Sequence, residues 1–339
     1  MRNQGCGWMK TPSQYGGDAR ISAYADEAEL RTIFRVFLLA SVLMVTAIVP
    51  FVLAMNSSSS QAETSHAQTA PSATLLSWAP ADDTEKQAYI VDGYTLTLST
   101  HVHSIGERVA LLELRAPTGE AISLYGELGY PIPSARFGIG KLDPKSSTQQ
   151  VIFTSYTGGL HCCTKITVVE LVEGKWRKIQ LGMWDGDPLR DFPTDVDGDR
   201  TPDFILKDDR FGYAFAPYTE SLKPPRIFNL DGARVIEVGH ASRYDAVYEA
   251  EMNRALDGCE KHKNAACAAF VATASRLGRH EWAWNIMMSN YRRSTDWNFP
   301  MKCKVALVKD ACPPGQSEQF GEFPDALSWF LTDTGYVKP

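Results

Sequence analysis

Asp195-Val196-Asp197-Gly198-Asp199-Arg200-Thr201-Pro202-Asp203 places carboxylates at positions 1, 3, 5 and 9 of a short run. A tight loop with an acid at every second residue turns those acids toward one centre. Like charges gathered there repel each other unless a cation lies among them. Calcium suits the set, because it is a hard ion that takes six to eight oxygens at about 2.3–2.6 Å. Magnesium suits it less, since it keeps more of its own water. The expected ligands are Asp195, Asp197, Asp199, Asp203 and Thr201, the last through its carbonyl, with water completing the shell. The role expected of the ion is structural, because the run supplies ligands and no nucleophile.

An EF-hand has a bidentate Glu at position 12 and Gly at position 6. Leu206 and Arg200 stand there in this chain, and a strand-like FILK follows where a helix would. The pattern Asp-x-Asp-Gly-Asp-x-x-Pro-Asp before an apolar strand resembles the calcium loop of FG-GAP/VCBS-type repeats. The resemblance implies a β-propeller blade in a surface or secreted protein, with the five residues above as ligands. Lys141 to Asp143, followed by Gln150 to Phe153, has the same order with most acids missing, about one repeat length earlier. Two such units cannot close a propeller, so a partial, propeller-like assembly is expected. SYTGGLHCC together with the Asp loop also resembles uncharacterised bacterial membrane-anchored or secreted envelope proteins.

Other chemistry has weaker support. His161-Cys162-Cys163 offers a Cys–His pair, and His101 with His103 share a strand face, but adjacency alone does not build a catalytic site. The chain lacks G-x-S-x-G, H-E-x-x-H and a phosphate-cradling glycine loop. No catalytic residue is assigned. A carbohydrate-active or cell-wall hydrolase stays open as the alternative, because paired carboxylates are a spatial feature.

The elements around the loop set its compartment. Val36 to Met55 is an uncharged 20-residue stretch, long enough to cross the hydrocarbon layer as a helix. Arg2, Lys10, Arg20, Arg31 and Arg35 precede it, and the next basic residue is Lys86. This asymmetry keeps the amino terminus in the cytoplasm and exports the bulk. The expectation is a signal-anchor in the inner membrane with the rest in the periplasm. Secretion after cleavage near Val52-Leu53-Ala54 is the alternative.

Six cysteines lie beyond the span: Cys162, Cys163, Cys259, Cys267, Cys303 and Cys312. An even number suits disulfides in an oxidising compartment. Cys303 with Cys312 is the preferred local pair, and Cys259 with Cys267 the second if a loop separates them. Zinc fits less well, because no C-x-x-C pair is present.

The expected division is a cytoplasmic tail at 1–35, the transmembrane helix at 36–55 and a flexible linker at 56–82. A β-rich domain at 83–240 carries the calcium loop, and a Cys-containing helical domain fills 241–339. Hairpin turns are read at Asp92-Gly93, Glu173-Gly174 and Asp231-Gly232. Phe211, Tyr213 and Phe215 alternate as on a strand. Cys267, Phe270, Val271 and Ala274 follow helical spacing, with Asn264 as N-cap and Gly278 as stop. Trp282 and Ile286 continue on a second helix, and Phe323-Pro324-Asp325 opens a third. The fold class is α+β with antiparallel sheets.

Hydrophobic residues make up 44% of the 339, which excludes a wholly disordered chain. The net charge of −6 comes with no basic stripe, so no nucleic-acid partner is expected. The sequence therefore points to a membrane-anchored extracytoplasmic protein that binds an envelope protein or a glycan and is not assigned an enzymatic activity.

Overall fold

The computed structural model describes residues 67–104, 106–129, 133–159, 162–309 and 311–338. The expected tail, the span at 36–55, the first part of the linker and His161 lie outside the described residues. No helix among the described residues is long and apolar enough to cross a membrane.

Two five-stranded sheets come first. One has the order β1 (Gln68–Thr69), β3 (Lys86–Val91), β4 (Tyr94–Ser104), β5 (Glu107–Arg115), β6 (Ala121–Gly129). The other runs β10 (Lys175–Asp185), β9 (Cys162–Val172), β8 (Gln150–Tyr156), β7 (Ala135–Gly140), β2 (Leu76–Trp78). All their neighbours are antiparallel except β1 with β3. Leu96, Leu98, Leu112 and Leu114 of the first sheet share a core with Phe137, Ile139, Val151, Phe153 and Val169 of the second.

A third sheet covers the opposite face of the second. It consists of β11 (Phe204–Lys207), β12 (Pro225–Asp231) and β13 (Arg234–Glu237). Phe204, Leu206, Phe228 and Leu230 pack there on Ile152, Ile166, Val168 and Ile179. The middle sheet is thus buried on both faces. This is why the QVIFTS stretch of β8 lacks a polar alternation: six successive residues are buried. None of the sheets closes into a barrel among the described residues.

Asp92-Gly93 and Glu173-Gly174 are two-residue turns with positive φ at both positions, as the type I′ hairpin requires. The third hairpin differs by one residue. Asp231 pairs with Arg234, so its turn is Gly232-Ala233.

Four helices follow: α1 (Asp245–Glu260), α2 (Asn264–Arg276), α3 (His280–Asn290) and α4 (Phe323–Asp333). Every residue of α2 from Asn264 to Ala274 is buried, and its alanines allow close approach from all sides. A Cβ on Gly258 of α1 would lie 2.6 Å from the Ala266 methyl, so that contact requires glycine. Cys259 and Cys267 join α1 to α2 across the intervening turn, and Cys303 joins Cys312. Both are the expected local pairs. Cys303 also lies in a two-stranded ribbon of β14 (Lys302–Cys303) and β15 (Ser317–Glu318).

Several expectations need correction. The linker does not extend to residue 82, because β1 and β2 are already sheet strands and Trp78 of β2 is buried in the core between the first two sheets. Phe211, Tyr213 and Phe215 do not form a strand. The chain turns there, with Tyr213 at φ +59°, and sends Phe211 and Phe215 into the helical core while Tyr213 stays exposed. The Phe215 ring meets Phe323 at 5.3 Å and Phe330 at 5.2 Å. A boundary at 240/241 therefore cuts through one core. Asn264 is the first helical residue and not the cap. Its amide instead grips the Arg292 backbone at both N–H and C=O, tying α2 to the segment after α3. Gly278 does end α2, at φ +69°.

Candidate metal centre

The Asp loop is the connection into the third sheet. Its ends are pinned by a bridge between Thr194 and Asp203, where the Asp203 N–H donates to the Thr194 carbonyl at 3.0 Å. Two left-handed residues make the loop tight enough to gather its acids: Gly198 at φ +83° and Arg200 at φ +71°. Position 6 of the loop thus adopts the backbone that usually selects glycine, although arginine occupies it.

The carboxylates hold the loop through its own N–H groups. Asp195 accepts from Gly198 and Arg200, both at 2.8 Å. Asp197 Oδ1 accepts from Asp199 at 3.0 Å, and Asp199 Oδ1 accepts from Thr201 at 2.8 Å. Asp203 Oδ2 accepts from Val196 at 2.9 Å. Its Oδ1 faces the buried side and accepts from Asn229 Nδ2 at 2.8 Å and from the Tyr244 hydroxyl at 2.7 Å.

Asp195, Asp197 and Asp203 each bring one carboxylate oxygen within 4.8 Å of the others. An ion with ligands at about 2.4 Å holds oxygens no more than about 4.8 Å apart, so the triad has the right span for calcium. The donor set is all carboxylate oxygen, as a hard cation prefers. Asp197 Oδ2 is buried and has no hydrogen-bond partner among the described residues. It is touched by Arg243 Nε as an ion pair without the alignment of a hydrogen bond.

Asp199 is not a member of the triad. Asp199 Oδ2 lies 3.3 Å from Arg243 Nη2, and Thr201 engages the loop through its N–H.

Burial opposes ionisation of Asp195, but the Arg200 and Gly198 N–H donors outweigh it and hold the carboxyl below its usual range. Asp203 goes the other way, because burial dominates its three hydrogen bonds and pushes it up. Tyr244 is also pushed up, first by burial and then by the Asp203 carboxylate it serves.

The sequence reading missed Arg243, Tyr244 and Asn229. The one signal available was Asn229, a polar residue inside the apolar strand RIFNL. Nothing in the local spacing announces Arg243 or Tyr244, which come from the turn Ser242–Tyr244 just before α1.

Among the described residues, the remaining sequence candidates do not join the triad. Asp143, in the earlier Asp loop, is buried and accepts from Lys145 and Gly232 N–H groups, so its carboxylate ties two loops together. His101 and His103 share a face as expected, and His101 packs edge-on against Tyr125 at 5.0 Å. Cys163 is buried and disulfide-bonded, which removes a thiolate at that position.

Comparison with known proteins gives limited kinship. Residues 240–335 match the family described as "sll0997 C-terminal domain". Over 207 residues the chain is 32% identical to "Uncharacterized protein y4bJ" of Sinorhizobium fredii, covering 58% of this chain and 32% of that protein. Over 216 residues it is 27% identical to "Probable thylakoid lumen protein sll0997" of Synechocystis sp., covering 61% of this chain and 62% of that protein. The chain thus spans about a third of the first relative's length and less than two thirds of the second's. No solved structure matches it. The family segment contains Arg243 and Tyr244 but not the Asp loop they reach.

Proposed function

We propose that this chain is a membrane-anchored extracytoplasmic binding protein whose Asp loop holds a structural calcium ion. The observation that carries the reading is the triad of Asp195, Asp197 and Asp203, whose carboxylate oxygens lie within 4.8 Å of one another. The FG-GAP/VCBS-type loop pattern supports it. So does the stacking of three sheets face to face, which is how neighbouring propeller blades pack and which suits a partial, propeller-like assembly.

The compartment follows from three supports. The uncharged stretch at 36–55 has its basic flank on the amino-terminal side. Cys163, Cys259, Cys267, Cys303 and Cys312 are disulfide-bonded. One relative bears the name of a thylakoid lumen protein, and that lumen lies across a membrane from the cytosol. We place the bulk of this chain on the corresponding side, in the periplasm.

The partner read for it is a glycan or another envelope protein. A cleft of about 500 Å³ lined by Arg136, Tyr156 and Tyr218 has the size for a small glycan. Hydrolysis needs two acids across the bond, and the acid lining this cleft, Asp187, is held by Arg136 at 2.7 Å.

The test is thermal unfolding of the full-length protein with calcium and with chelator. At free calcium a hundredfold above Kd the gain is about 2.7 kcal/mol. Asp195→Asn and Asp197→Asn should abolish the difference. An identical melting temperature in millimolar calcium and in chelator removes the metal from the reading.

A further inference from the structure

Two cations can reach the Asp loop, one from solution and one attached to the chain. Arg243 is the attached one. Its Nε touches Asp197 Oδ2, and its Nη2 lies 3.3 Å from Asp199 Oδ2. Asp197 Oδ1 accepts the Asp199 N–H, so the two oxygens of this carboxylate divide between the loop backbone and the arginine. The guanidinium therefore stands against the carboxylate of one member of the triad and reaches a fourth acid of the loop. We propose that Arg243 is a tethered competitor of the bound cation, and that it sets the affinity of the loop for calcium. This inference rests on the calcium reading above.

The geometry gives Arg243 the freedom to yield. Its side chain is 44% exposed, so it can leave the loop for water at little cost. Its neighbour is fixed. Tyr244 is fully buried and its hydroxyl donates to Asp203 Oδ1 at 2.7 Å, so the backbone beside Arg243 stays in place whether or not the guanidinium is docked. Metal entry then exchanges one positive group for another at Asp197 while the scaffold remains unchanged. The two cannot share one oxygen closely, because like charges a few ångströms apart repel even near a protein surface.

The competition has a two-sided signature. Without metal, the docked guanidinium relieves repulsion between Asp197 and Asp199. With metal, the same guanidinium is a charge that must be expelled. Arg243→Gln should therefore tighten calcium binding by about tenfold. It should also lower the melting temperature in chelator and leave it nearly unchanged in saturating calcium. Arg243→Lys keeps the charge and should restore the weaker affinity.

The experiment is calorimetric titration of calcium chloride into the full-length protein in detergent, for the wild type and both variants, with melting temperatures in chelator and in calcium. Tighter binding by the Gln variant, with Lys close to wild type, supports the proposal. So does uptake by the Gln variant where the wild type takes up none. Equal affinity in all three leaves the calcium reading standing and overturns the role of Arg243. Tight binding by the Lys variant also overturns it, since charge is then not the cause. No uptake by any of the three removes the calcium reading, and the proposal with it.

Discussion

Asp203 illustrates how one carboxylate serves two sides of a wall. Its Oδ2 accepts the Val196 N–H within the loop, and its Oδ1 accepts from Asn229 and Tyr244 in the interior. The residue is only 3% exposed, so water cannot replace a lost donor. Tyr244→Phe keeps the ring and deletes the hydroxyl. We expect a loss of about 1–3 kcal/mol, the cost of leaving a buried acceptor short of a partner. Denaturant unfolding in the presence of chelator reads it as a lower midpoint at an unchanged slope. An unaltered midpoint means that Tyr244 acts by packing alone. The acid pattern of the loop was legible in the sequence because its four aspartates fall within one nine-residue run. Arg243, Tyr244 and Asn229 were not, because their place at the loop depends on how a third sheet and a helix entry meet in space.

Elements defined by local chemistry were the readable ones. Two-residue turns with Asp-Gly and Glu-Gly gave their hairpins directly, and the pairs Cys259–Cys267 and Cys303–Cys312 are close in sequence. The errors arose where a distant core recruits a segment. Trp78 is drawn into a sheet from a stretch whose Ser- and Ala-rich approach resembles a tether, and Phe211 with Phe215 leave the strand pattern to fill a helical core. At this scale the β12–β13 pair gives a pH prediction. Arg226 donates from Nε and Nη2 to the two oxygens of Glu237 at 3.1 and 2.6 Å. Burial alone raises the Glu237 carboxyl, but the Arg226 pair outweighs it and holds the group below its usual 4.5. The folded protein therefore binds this proton less readily than the unfolded chain does. Its stabilising contribution is present above about 4.5 and is lost as the pH falls through the lowered folded value. Glu237→Gln should be less stable than wild type at neutral pH, with the gap closing in acid. A gap that stays constant from neutral pH into acid denies the ion pair that role.

At the scale of the molecule, the helical part and the stacked sheets are not independent. The family match begins at residue 240, yet the helical core also holds Phe211, Ala214, Phe215 and Ala216 from the chain before it. The joint is polar as well. Buried Asp208 receives the Arg210 guanidinium at 2.6 Å and the Tyr336 hydroxyl at 3.0 Å, and Arg210 Nη1 donates to the Thr334 carbonyl at 3.1 Å. Removing one buried phenylalanine from a core costs about 3–5 kcal/mol. A whole domain has only about 5–15 kcal/mol in hand. Residues 240–339 made alone lose both phenyl rings and leave Tyr336 without its carboxylate. We therefore expect this segment to keep helical far-ultraviolet dichroism and its two local disulfides while losing fixed packing. A weak near-ultraviolet spectrum, dye binding and a broad thermal transition are the measurements that establish it. A sharp cooperative melt of the isolated segment means that α1 to α4 complete their core unaided, and that Phe211 and Phe215 only decorate it.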